Sequence, residues 1–312
     1  AAEGGTGERP GSARLHRNPW LGDSASAGTK RNRRNISVQF CCNRRTRTNV
    51  TPANLHPSNV MIAEAGTSGA LSGSGVAARV SMVNTNSMNL AASAASFRRI
   101  INGADYVFAD GTGLRWAARH LCARELQDNV NGTDLVPRLL GQNLGHRYYM
   151  LGGSASAIAC ASKEANQLFP GWSLVGHRDG YFDWDDSGKI IEEVNESEAD
   201  LLLVGMGSPL QERWVDQHRH LVHASVVMAV GGLFSYWSGE LERAPSWVQK
   251  LGMEWSWILL QQPEKIGRYV AGNPRFILRV GLSILKTNLE QKSASLLSGF
   301  HPQPLHRVEE SA

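Results

Sequence analysis

The strongest constraint on this chain is an alternation. From about residue 80 to residue 230, short apolar runs take turns with segments of helical period, and most of the runs are followed by Gly, Asn or Asp. The runs predict strands at Arg79–Val83, Tyr106–Ala109, Arg147–Leu151, Ser173–His177, Asp200–Val204 and Ser225–Val230. Between them the spacing predicts helices at Leu90–Asn102, Thr112–Leu121, Thr133–Leu140, Ser154–Phe169, Ile190–Ser197 and Pro209–His218. Gly103 and Gly141 are expected stops, Thr133 and Asp134 expected N-caps, and Pro209 an expected first helical residue. Each parallel strand pair needs a crossover, so strands that alternate with helices build a parallel sheet covered on both faces. The expected fold class is therefore α/β, a Rossmann-like, mostly parallel sheet.

The flanks read differently. Residues 1–78 are rich in Ser, Gly, Asn and Arg and show no sustained period, apart from short pieces at Ile36–Phe40 and Val60–Ile62. They are read as a disordered or unrelated basic extension. The α/β domain is placed at 79–235 and a helical appendage at 236–290, with a disordered tail over 291–312. Four of the nine tryptophans fall between Trp237 and Trp257. They are expected to be core between appendage and sheet, with sugar stacking as an alternative for one or two. Appendage helices are predicted at Trp247–Gln262, Glu264–Ala271 and Pro274–Leu285, broken at Asn273-Pro274.

Charge excludes less than the pI near 9.0 implies. The first 50 residues hold ten Arg/Lys against three acids, and the remainder is slightly acidic. The basic balance is therefore no argument for a nucleic-acid partner. Cys41, Cys42, Cys122 and Cys160 form no CxxC pair, which favours a reducing, cytoplasmic setting. No apolar run approaches the ~20 residues of a membrane span, and no signal-peptide core opens the chain.

Ligands of open α/β sheets bind beyond the carboxyl ends of the strands, so the residues just after each strand matter most. Five such junctions stand out: Asn84-Thr85-Asn86, Asp110-Gly111-Thr112-Gly113, Gly152-Gly153-Ser154, Gly205 to Glu212, and Gly231-Gly232. Gly-rich turns that feed helices suit a diphosphate, although Gly also simply makes tight turns. Leu210 stands where a third Gly would complete a dinucleotide fingerprint, which argues against a nicotinamide oxidoreductase. Asp110 ends a strand and precedes a helix, a place for a general base or for an N-cap. Asp183-Trp184-Asp185-Asp186 fits a polar turn better than a metal site. His218, His220 and His223 fit a solvated helix end. Arg268, Arg275 and Arg279 lie seven and four residues apart, on one helical face if the segment is continuous across Asn273-Pro274, either as a solvated or lipid-facing basic surface or as a clamp on a diphosphate.

Taken together, residues from about 80 to 285 closely resemble the WecG/TagA/CpsF glycosyltransferases of bacterial polysaccharide synthesis. The resemblance runs through Val83 to Ala91, Asp110-Gly111-Thr112-Gly113, Trp116 to Arg119, Gly132 to Pro137, and Leu151-Gly152-Gly153. It continues through Gly180-Tyr181-Phe182, Gly205 to Glu212, Arg243-Ala244-Pro245, Leu251 to Trp255 and Asn273 to Phe276. It implies inverting transfer of an N-acetylhexosamine-type sugar from a UDP donor to a polyprenyl-diphosphate-linked sugar, without an obligatory metal or cofactor. On the matching motifs it implies Asp110 as catalytic base and Asn84, Gly152, Gly153, Gly207 and Gln211 as substrate-binding residues. Arg268, Arg275 and Arg279 of the appendage are then expected to close over the diphosphate. The appendage is also expected to meet the inner face of the cell membrane. Departures at Met82, Asn129 and Ser235 leave a catalytically inactive nucleotide-binding or scaffold relative as the alternative.

Overall fold

The computed structural model of the chain describes residues 76–122, 126 and 130–298. The readings placed on residues 1–75, on Asn129 and on 299–312 lie outside the described residues. Six strands form one sheet: β1 (Ala78–Val83), β2 (Tyr106–Ala109), β3 (Arg147–Gly152), β4 (Ser173–Arg178), β5 (Leu201–Gly205) and β6 (Val226–Ala229). Their order is β2-β1-β6-β5-β3-β4 and every neighbouring pair is parallel. Each strand lies within a residue or so of its expected place.

The connections are helical: α1 (Thr85–Ser93), α2 (Ala95–Asn102), α3 (Thr112–Cys122), α4 (Gly132–Leu140), α5 (Ala155–Leu168), α6 (Ser187–Glu196) and α7 (Leu210–His218). Helices α6 and α7 send Ile190, Ile191, Val194, Trp214 and Val215 onto one face of the sheet, against Tyr149, Leu151, Leu202, Val204 and Val227. Helices α1 and α2 extend that cover with Met88, Ala91, Phe97 and Ile101 against Val83, Val107 and Ala109. The buried faces are apolar at strand period 2 and helix period 3.6, which is what the alternation encodes.

Three local expectations shift. Leu90–Asn102 is two helices, because Asn84 caps α1 five residues early and Ala94 turns extended (φ −125°, ψ 108°) before α2. The cap of α4 is Asn131, whose Oδ1 accepts from Asp134 N at 2.8 Å while its amide donates to the Asp134 carboxylate at 2.9 Å. This reciprocal pair satisfies donors that Thr133 or Asp134, already inside the helix, would leave open. Pro209 precedes α7 as its cap residue and is not the first helical residue.

One buried charge interrupts the apolar face. Arg79 of β1 is 2% exposed and is paired to Asp216 of α7. Its backbone N–H donates to Asp105 at 2.8 Å, and Asp105 also accepts from Arg219 at 2.8 Å. The pairing offsets the desolvation of a guanidinium that burial holds below its ordinary pKa.

After the sheet come α8 (Leu233–Trp237), α9 (Ser246–Lys250), α10 (Glu254–Gln261) and the long α11 (Ile266–Ser298). The predicted helix over Trp247–Gln262 is thus two helices, and the predicted break at Pro274 is absent. An interior proline costs about 3 kcal/mol. Here tertiary contacts offset it. Asn89 donates to the Gly272 carbonyl at 2.7 Å, Thr85 Oγ1 donates to Asn273 Oδ1 at 3.0 Å, and Phe276 and Val280 enter the core beside β1 and β2. The same helix runs on past residue 291, where composition predicts a disordered tail.

Candidate active site

The turns after β1 and β2 lie side by side at the carboxyl edge of the sheet, and α10 and α11 close over them. Between them is a cleft of about 560 Å³. Asn84, Asp110 and Arg268 of the expected site line it, together with Thr85, Thr112, Trp116, Glu254, Trp255, Tyr269 and Asn273. Close approach is what seats the appendage on this edge. Gly252, between α9 and α10, has φ +69°, and a Cβ there would sit 2.8 Å from Thr112 Cγ2.

Asp110 is held from behind. Its backbone N–H donates to the Val83 carbonyl at 2.7 Å, which ties the end of β2 to the end of β1. The Asn84 side chain hydrogen-bonds the carboxylate through its amide. Its Oδ1 is already engaged as the cap of α1, accepting from Asn86 N and Ser87 N at 3.1 Å each. Burial pushes the Asp110 carboxyl up to about 7; Asn84 works against that rise, the charges of Glu254 and Asp134 add to it, and Arg268 opposes it. A carboxylate so placed changes protonation near neutrality and suits a general base.

The rim is charged and paired. Arg243 reaches Asp134 at 2.5 Å, joining α4 to the segment before α9. Arg268 lies 5.0 Å over the Tyr269 ring. Of the other two expected arginines, Arg279 donates to Asn89 Oδ1 and to the Asn89 carbonyl at 3.2 Å each, and Arg275 is exposed; neither lines the cleft.

Gly152, Gly153, Gly207 and Gln211 lie outside the cleft, at the ends of β3 and β5. Gly152 has φ +137°, and a Cβ there would meet the Gly205 carbonyl at 2.4 Å, so only glycine lets these strand ends touch. Gly153 N–H donates to the Gly205 carbonyl at 3.1 Å. Gln211 is buried: its Oε1 accepts from Gly231 N at 3.0 Å and its Nε2 donates to Glu212 at 3.0 Å, locking the turn after β5 to the turn after β6. Beyond Gly207, Gly231 and Gly232 the surface is open, with nothing within 4 Å of an added Cβ. The result is a glycine-lined ledge beside the cleft.

Other expectations resolve as follows. Asp183 caps a short 3-10 turn over Trp184–Asp186 through Asp185 N at 3.1 Å, and Asp186 pairs with Lys189 at 2.8 Å. His218 is buried, with Nδ1 at 2.9 Å from the Trp214 carbonyl, so the reading of a wholly solvated helix end holds only for His220 and His223. No group of metal-ligating side chains occurs among the described residues. Of the appendage tryptophans Trp237 is buried, whereas Trp247 is 64% and Trp255 40% exposed, so the expectation that they form core fails for those two. Glu254, Trp255 and Tyr269 were not singled out by sequence reasoning as site residues. The signal for Glu254 and Trp255 was available in the Gly252-Met253-Glu254-Trp255 string, which reads as part of the predicted Trp247–Gln262 helix until its neighbours are known.

Comparison with known proteins decides the family. The model of the glycosyl transferase WecG/TagA/CpsF family matches residues 58–292. The chain belongs to this family. The match opens within the stretch whose composition reads as a basic extension. Among curated relatives, an N-acetylglucosaminyldiphosphoundecaprenol N-acetyl-beta-D-mannosaminyltransferase of Bacillus subtilis (strain 168) is 26% identical over 73% of this chain and 85% of its own length. Proteins of the same name from Staphylococcus aureus (strain MW2) and Bacillus spizizenii are 30% and 28% identical, each over 59% of this chain and 72% and 71% of their own lengths. The chain is thus similar to bacterial glycosyltransferases, and its cleft residues Asn84, Asp110 and Arg268 lie within the matched stretch.

Proposed function

We propose that the chain is an inverting glycosyltransferase with Asp110 as its base. It moves an N-acetylhexosamine-type sugar, N-acetylmannosamine or its uronate, from a UDP donor to a polyprenyl-diphosphate-linked sugar. The observation that carries this reading is the half-buried Asp110 carboxylate facing the cleft with Asn84 behind it. The names of the similar proteins supply the class of acceptor and of transferred sugar.

In this reading an acceptor hydroxyl lies over Asp110 and its oxygen attacks the anomeric carbon of the donor. The hydroxyl proton passes to the Asp110 carboxylate as the new C–O bond forms on the face opposite the departing UDP. The bond from the anomeric carbon to the diphosphate breaks, and UDP leaves with its electron pair. Arg268 at the cleft and the open backbone of the glycine ledge at Gly207 oppose the charge that develops there, with Gly152 and Gly153 shaping the ledge. Arg275 and Arg279 share the helical stripe of Arg268 and are assigned to the approach of the anionic lipid.

The acceptor brings the protein to a membrane surface. No described helix is long and apolar enough to cross a bilayer. Helix α11 instead exposes Val270, Ile277, Leu278, Leu282, Leu285 and Leu289 next to its basic stripe, the pattern of a helix that lies in an interface. The working location in this reading is the inner face of the cell membrane.

Asp110→Ala tests the assignment. It is expected to abolish transfer while UDP binding and the folded structure persist; near-normal turnover sinks the role of Asp110. A wild-type protein that binds UDP and transfers nothing to any lipid-linked acceptor is instead an inactive relative.

A further inference from the structure

The cleft holds a carboxylate that the reaction above does not use. Glu254 opens α10 and lines the cleft together with the β1 and β2 turns. It is half-buried and has no hydrogen-bond or ion-pair partner among the described residues. The acids around it are engaged: Asp134 with Arg243 and Asn131, Asp110 with Asn84. Burial holds the Glu254 carboxyl above its usual range, and Arg243 offsets part of that rise. A partly desolvated carboxylate with unused lone pairs is satisfied by hydroxyl or amide donors from a ligand.

The wall around Glu254 is aromatic. Trp255 follows it directly, with its ring centroid 6.3 Å from that of Tyr269, and Trp116 of α3, 38% exposed, is part of the same lining. A pyranose ring presents a C–H face and a rim of hydroxyls. Aromatic faces suit the first and a carboxylate the second, and a few placed polar groups in an otherwise apolar pocket set ligand orientation.

We propose that Glu254, with Trp255 and Tyr269, forms the subsite for the sugar ring of the lipid-linked acceptor, Glu254 accepting hydrogen bonds from its ring hydroxyls. The inference rests on the transferase reading of the same cleft and adds the group that orients the acceptor. The acceptor ring is favoured over the donor ring for two reasons. The hydroxyl that loses its proton must lie over Asp110, which lines the cleft with Glu254. Helix α11, whose Phe276 and Ile277 line the same cleft, also exposes Leu278, Leu282 and Leu285 further along, an apolar surface for a polyprenyl chain. The appendage is then part of the recognition site and not only a cover.

Glu254→Gln, nearly isosteric, tests it with a short polyprenyl-diphosphate N-acetylglucosamine as acceptor. The acceptor KM is expected to rise about tenfold or more, the loss of one charge-assisted hydrogen bond, while the KM of the UDP donor stays put. An acceptor lacking the contacted hydroxyl is expected to be weakened for wild type and not further weakened for E254Q. Trp255→Ala is expected to raise the acceptor KM as well. An unchanged acceptor KM, or an equal rise for the donor, overturns the subsite. Binding of the acceptor alone, followed by tryptophan fluorescence, separates the two readings. If wild type binds it but transfers nothing, the transferase reading fails, and weaker binding by E254Q still supports the subsite. Equal binding by both proteins overturns the subsite whatever the turnover.

Discussion

Asn84 and Asp110 are joined by a single side chain with two duties. The Asn84 oxygen caps α1 at 3.1 Å from Asn86 N and Ser87 N, and its amide hydrogen-bonds the Asp110 carboxylate. The start of a helix and the state of the candidate base are therefore set by the same residue.

Asn84→Ala removes both functions. Loss of the cap is expected to lower stability by about 1 kcal/mol, read as a shift in the urea midpoint. Loss of the hydrogen bond removes the larger of the two influences that oppose the raised Asp110 pKa, so the acidic limb of the kcat/KM profile should move to higher pH. An unmoved or lowered limb would show that the amide does not support the ionised form.

The pH dependence of stability follows from Asp110 itself. Its folded pKa of about 7 lies above the ordinary 3.8, so the folded state holds a proton that the unfolded state has released between those values. Stability is then lost as pH rises from about 4 to about 7 and levels off above that. Asp110→Asn is expected to be more stable than wild type above neutrality, by roughly 2–4 kcal/mol, with no advantage near pH 4. Equal melting temperatures across the range would contradict the burial. In the wild type, kcat/KM should fall with unit slope below about 7.

Arg243→Met breaks the ion pair that ties α4 to the appendage. The Arg243 and Asp134 side chains are 21% and 30% exposed, so the cost is set between a surface and a buried pair, about 1–2 kcal/mol. It should be partly recovered in the double variant with Asp134→Asn, because the stranded carboxylate is removed. A double-mutant cycle with no coupling refutes the pairing.

The interfacial role of α11 cannot be tested by cutting the chain after Gln262, because Phe276 and Val280 belong to the core. Leu278→Glu with Leu282→Glu keeps that core and alters only exposed positions. Co-sedimentation with vesicles containing anionic lipid should fall at least tenfold, with an unchanged melting temperature. Unaltered vesicle binding rules out this face as the docking surface.

Much of this was legible without coordinates. The strands β1 to β6 and the positions of Asn84 and Asp110 at strand ends follow from local patterning, because a run's period and the residue that ends it are properties of adjacent residues. What was misread was non-local. The helix across Pro274 is held by Asn89 and Thr85, more than 180 residues earlier in the chain. Trp255 looks like core by composition and lies instead in the cleft wall.

The sequence by itself therefore determined the α/β class, the family motifs and the identity of the carboxylate at the end of β2. Tertiary structure decided which of those residues share a site. The order β2-β1-β6-β5-β3-β4 places the glycine turns of β3 and β5 on a ledge apart from Asp110, and only the fold-back of α10 and α11 brings Glu254 to the cleft. The physical reason is range. Helix caps and strand periods are written over a few residues, while the burial that raises the Asp110 pKa, the charges of Glu254 and Asp134 that add to it and the charge of Arg268 that opposes it come together only when the whole chain is folded.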